Sequence, residues 1–82
     1  MLYYSNGGPG PATKLLRVDA PEGADIAAWR RAPAASWQPH SDWVPNTFAQ
    51  LDILGLGEFF MVDESQVPAI QAEMTAALAQ YQ

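Results

Sequence analysis

Two short stretches near the N-terminus predict strands, one by its β-prone side chains and the other by alternation of apolar and polar positions. "LYYS" at 2–5 is rich in β-prone residues. In "KLLRVDA" at 14–20, Leu16 and Val18 alternate with Arg17 and Asp19, and "PEG" at 21–23 ends the run. Between the two lies "NGGPGPAT", where Pro9 and Pro11 forbid helix and the glycines allow positive φ. A hairpin with a long connection is expected.

The segment "ADIAAWRRA" at 24–32 admits two readings. Asp25 could cap a short alanine-rich helix. Trp29, the paired arginines, the break at Pro33 and a further Trp37 instead suit a second hairpin, and strand is the reading adopted. From Asn46 the pattern changes to helical. Asn46 is a good N-cap, Phe48, Leu51 and Leu54 recur every third residue, and Gly55 stands where a helix end favours a left-handed residue, so a helix over 46–54 is predicted. A strand follows at 58–62. Its unbroken apolar character implies burial on both faces, or one face in the core and the other under a partner.

The last pattern is the longest. Val67, Ile70, Met74, Ala77 or Leu78, and Tyr81 repeat on one helical face, Asp63 and Ser65 offer capping oxygens, and Pro68 is tolerated in a first turn, which predicts a helix over 66–80. The elements together make an α+β fold, a single domain over 1–82. A small antiparallel β-sheet of three to five short strands is expected, with the short helix and the amphipathic C-terminal helix packed on one face of it.

Composition narrows the function. Hydrophobic residues make up 49% and charged residues 16% of the 82, which suits a globular chain. Nine acidic residues against four basic ones give a net charge of −5, too little basic surface for nucleic-acid binding through phosphates. That balance leaves a basic partner protein open. Without cysteine there is no disulfide, thiolate metal site or cysteine nucleophile. The N-terminus lacks a basic region followed by a long apolar run, and the longest apolar stretch, "FFMV" at 59–62, is far too short for a bilayer. A cytoplasmic protein that binds no membrane is expected.

Five stretches invite chemistry. "SNGGPGP" lacks the fixed glycine spacing of a nucleotide loop, and its prolines remove amides that would donate to phosphate. The acidic pairs Asp19 with Glu22 and Asp63 with Glu64 show no metal-ligand spacing, and negative charge at a helix N-terminus explains the second. "WRR" at 29–31 could clamp an anion, although on a strand Arg30 and Arg31 would point to opposite faces. "SWQPHSDWVPN" at 36–46 holds Ser36, His40 and Asp42, the residue types of a nucleophile, a base and an orienting acid. Triads are assembled by folds rather than by sequence neighbours, and Pro39 and Pro45 keep these groups apart locally. This stretch reads as a proline-stiffened, aromatic-rich connection leading into the 46–54 helix.

The stretches "LYYSNGG", "LLRVD", "AAWRR", "WVP" and "VDESQ" together resemble small actinobacterial and actinophage proteins of unassigned activity. That resemblance implies no catalytic residue. The expectation is therefore a non-enzymatic protein-interaction module with no cofactor or metal, such as a phage-encoded modulator of a host protein or a bacterial accessory protein. Its aromatic anchors would be Trp37, Trp43, Tyr3 and Tyr4, because exposed Trp and Tyr are efficient at interfaces. Homo-oligomerisation through an apolar 58–62 edge stays open. Two alternatives remain: a small enzyme or ligand-binding protein using Ser36, His40 and Asp42, and an acidic mimic of nucleic acid.

Overall fold

The computed structural model describes residues 1–7 and 11–80, with the side chain of Leu56 excepted. Five antiparallel strands form one sheet in the order β4-β3-β2-β1-β5. They are β1 Leu2–Ser5, β2 Leu15–Val18, β3 Ala34–Gln38, β4 Asp42–Pro45 and β5 Phe60–Val62. Helix α1 (Ile26–Arg31) joins β2 to β3, α2 (Ala49–Leu56) carries the chain from the β4 edge to the β5 edge, and α3 (Val67–Ala79) follows β5 through a 3₁₀ turn at Glu64–Gln66. The fold is α+β.

Register explains the two cores. Leu15 and Leu16 are neighbours on β2 and therefore point to opposite faces. Leu16, Val18 and Tyr4 share one face with Trp29 of α1 and with Ala49 and Ile53 of α2. Leu15 and Trp37 share the other with Val67, Ile70 and Met74 of α3. The helices thus cover opposite faces, not the single face expected, because β2 is apolar at adjacent as well as alternate positions. Tyr81 of the expected α3 face, and Gly8 to Gly10 of the first loop, lie outside the described residues.

Within residues 24–32 the stretch Ile26–Arg31 is helical, which overturns the strand reading. Asp25 Oδ1 accepts the Ala28 N–H at 2.8 Å, the side-chain cap of a helix start. Trp29 is the buried residue of α1, and its Nε1–H donates to Tyr4 Oη at 3.0 Å while the two rings meet edge to face at 6.1 Å. One anchored tryptophan is enough to dock a helix of six residues that would be unstable alone.

The stretch 36–46 is not a connection but most of a hairpin. Ser36 pairs with Val44, Trp37 with Trp43, and Gln38 with Asp42. Its prolines stand where a hairpin accepts them. Pro39 occupies the turn closed by the Ser41 N–H on Gln38 O at 3.2 Å, and Pro45 ends an edge strand. Asp42 adopts φ 59°, a left-handed conformation that Asp tolerates better than most residues.

Helix α2 starts at Ala49 rather than Asn46 and runs through Gly55 to a left-handed Gly57 at φ 68°. Asn46 Oδ1 accepts the Phe48 N–H at 2.9 Å and so shapes the turn ahead of the helix. The buried side of α2 is Ala49, Gln50 and Ile53, not the expected Phe48, Leu51 and Leu54. Ala49 allows close approach to the sheet, and the buried Gln50 amide donates to Trp29 O at 3.3 Å and Ala32 O at 2.8 Å, satisfying carbonyls at the end of α1.

At the start of α3 the expected cap is present. The Asp63 carboxylate accepts both the backbone N–H and the hydroxyl of Ser65, and Gln66 Oε1 accepts the Asp63 N–H at 2.8 Å. The Ser65 hydroxyl first, then its N–H, holds the Asp63 carboxyl below its ordinary value of 3.8. A carboxyl depressed in the folded state stabilises the fold above the unfolded-state pKa, and that contribution disappears as pH falls through the lower folded value. Asp63→Ala is therefore expected to lower the melting temperature near neutral pH, because the Ser65 and Gln66 contacts of the cap are lost. Thermal melts from pH 7 to pH 2 should show the gap to wild type closing only below about pH 4.

Candidate interaction surface

The four expected anchors divide by burial. Tyr4 is inside, bonded to Trp29. Trp37 is 9% exposed, packed beneath α3, with its Nε1–H donating to Asp42 Oδ1 at 3.0 Å. Neither is exposed as an anchor in this fold; Tyr4 shows only a small part of its surface, in the groove described below. Tyr3 and Trp43 are half-buried on the α3 face, their rings 6.0 Å apart, and the Arg17 guanidinium carbon lies 4.5 Å from the Trp43 ring centroid.

The residues of the would-be triad also separate. His40 is exposed on the hairpin turn, Ser36 sits mid-strand, and the Asp42 carboxylate is taken by the Trp37 indole. Other carboxylates have structural tasks on different elements. Asp25 caps α1, Asp63 caps the turn before α3, Glu73 Oε1 accepts the Ala12 N–H at 2.8 Å, and Glu58 meets Lys14 at 3.9 Å. Among the described residues no three His, Asp or Glu side chains gather as a metal-ligand group. Arg30 and Arg31 share the exposed last turn of α1 beside a hollow of about 410 Å³ that Asn46 and Thr47 also line. Neither arginine forms an ion pair among the described residues; Lys14 does. No described helix is long and apolar enough to cross a membrane.

The surface the sequence did not single out is apolar. On the outer side of α2, Phe48 and Leu51 are each 64% exposed, and Leu54 is 50% exposed. Beside them opens a groove of about 420 Å³ between α1, α2 and β5, lined by Leu2, Tyr4, Ile26, Ile53, Leu54 and Met61. Helix α2 lies over β2 and β3, so on this face Met61 of the edge strand β5 stays exposed, while Tyr4 of β1 is buried against Trp29. Ile26 and Met61 on its rim are each 58% exposed. Strand β5 pairs with β1 on one side and is the sheet edge on the other, so its Phe60 and Met61 are exposed and only Val62 is buried. Burial on both faces, one of the two expectations for 58–62, is overturned.

At one end the groove meets a second hollow, of about 340 Å³, which shares Leu2 and Met61 and adds Glu22, Asp63 and Glu64. Two adjoining hollows thus share Leu2 and Met61, one apolar and the other acidic. Sequence periodicity could not reveal the groove, since its residues come from β1, α1, α2 and β5.

Comparison with known proteins adds no relative: no family model, no curated protein and no solved structure matches the chain.

Proposed function

We propose that this chain is a non-enzymatic protein-interaction module of the cytoplasm, acting as an accessory or modulator protein that docks on another protein through the outer side of α2 and the adjoining groove. The observation that carries the reading is the outward set Phe48, Leu51 and Leu54 beside Ile26 and Met61. Large apolar side chains grouped on a small acidic protein are costly in water and characteristic of surfaces that become covered. The anchors accordingly move from the tryptophans to the aliphatic side chains and Phe48. Tyr3 and Trp43 already contact each other and Arg17, which leaves less of their area for a partner.

The test is affinity capture from the native host, followed by reconstitution with the purified captured protein. Phe48→Gln with Leu51→Gln should leave stability within about 0.5 kcal/mol, as expected for exposed positions. The same double change should weaken reconstituted binding at least tenfold, or about 1.4 kcal/mol. Trp43→Ala, on the opposite side of the sheet, should retain the partner. A partner indifferent to Phe48 and Leu51, or no reconstituted partner, ends this reading.

A further inference from the structure

The groove also has a polarity that specifies its occupant. Resting on the interaction reading above, we infer that it receives a basic amphipathic helix of a partner protein, with apolar side chains over Leu2, Tyr4, Ile26, Leu54 and Met61 and lysine or arginine at the end that reaches Glu22 and Glu64. Three observations meet here. The groove runs between two docked helices and the exposed Met61 of an edge strand, where a further helix would complete the layer on that face. The lining of the groove proper carries no charged residue, whereas the hollow at its end carries three carboxylates against one cation, the Met1 amino group. The basic residues lie elsewhere: Arg17 over Trp43 on the other face, Arg30 and Arg31 beside the hollow near β4, and Lys14 against Glu58.

Charge selects against a second copy of this chain. Antiparallel pairing of two β5 edges about Met61 would set Glu58 opposite the copy's Glu64 and Phe59 opposite its Asp63, at both ends of the pair. Like charges directly across a strand pair are destabilising, and each copy brings a net charge of −5. The same carboxylates guard the edge against self-association and attract a basic partner.

The probe is a synthetic helical peptide of about 16 residues, about 24 Å long at 1.5 Å per residue. It carries leucines at i, i+3, i+4 and i+7 and lysines at one end, without tryptophan; a companion peptide has glutamate in place of each lysine. Binding is followed by the fluorescence of the protein's tryptophans, since Trp29 lines the groove. At low salt the lysine peptide should bind at least tenfold more tightly than the glutamate peptide, with the ratio shrinking in 0.5 M salt as charges are screened. Glu22→Gln with Glu64→Gln should cost the lysine peptide at least fivefold while the protein stays folded, with at most a small drop in the unfolding midpoint from the loss of Glu64 in the first turn; Asp63 is kept because it caps the 3₁₀ turn before α3. Met61→Asp should abolish binding of the peptide. Equal affinity for the two peptides, no binding of either, indifference to the carboxylate changes, or a groove-dependent dimer in sedimentation would each overturn the inference. If the peptides fail while a host partner still depends on Phe48 and Leu51, the basic helix is wrong and the interaction reading stands.

Discussion

Trp37→Ala is expected to remove about 3–5 kcal/mol of folding stability, the usual cost of emptying a large aromatic site in a core. A chain of 82 residues has about 4–12 kcal/mol in total at ordinary stability per residue. The substitution should therefore leave a largely unfolded or loosely packed protein. Trp37 joins Leu15 of β2 to Val67 and Met74 of α3 in one buried cluster, and its indole N–H occupies the Asp42 carboxylate at the hairpin turn. Its removal opens a cavity under α3 and frees the turn. Trp43→Ala, at the paired position on β4, loses the Tyr3 contact, the Arg17 cation and packing at the margin of the same cluster, about 1–2 kcal/mol. Urea unfolding followed by circular dichroism separates the two. A smaller loss for Trp37→Ala than for Trp43→Ala would contradict the packing of α3 on this face.

The second large effect belongs to Trp29. Trp29→Ala should cost about 3–5 kcal/mol and release α1, whose six residues include no other buried side chain. Trp29→Phe keeps an aromatic ring against Tyr4 but loses the Nε1–H donor, for a loss of about 1–2 kcal/mol. Because α1 forms one wall of the groove, Trp29→Ala should also abolish binding of the lysine peptide under conditions where the remaining fold persists. Amide hydrogen exchange reads this directly: protection across α1 should vanish in Trp29→Ala and survive in Trp29→Phe. Unchanged protection of α1 in the alanine variant would show that something other than Trp29 holds the helix.

Much of the architecture is legible in the sequence. Strands β1 and β2 follow from alternation and β-prone side chains, and α3 from a face of Val67, Ile70 and Met74 with a cap at Asp63 and a proline in its first turn. These signals are local, arising within one element from bonding and geometry that residues a few positions apart impose. Errors came where a local signal had two solutions. Residues 26–31 carry an N-cap and a strand-like tryptophan pattern at once, and the buried surface of Trp29 against Tyr4 decided for helix. In α2, apolar residues occur around the whole helix, so its sequence did not choose a side; Gln50 chose it by reaching the carbonyls of α1.

The candidate site was hardly legible. Trp37 and Trp43 have the same residue type, are paired across adjacent strands and lie on the same sheet face. One is core and the other half-exposed because α3 covers only part of that face. The sequence by itself determined the strand-rich first half, the capped C-terminal helix, the excess of carboxylates and the absence of thiol chemistry. Only the tertiary structure decided which aromatics are buried, which side of α2 faces water, and that an apolar groove ends among Glu22, Asp63 and Glu64. The reason is physical: alternation, helical period and capping act over a few residues, whereas burial depends on which distant elements come to rest against one another.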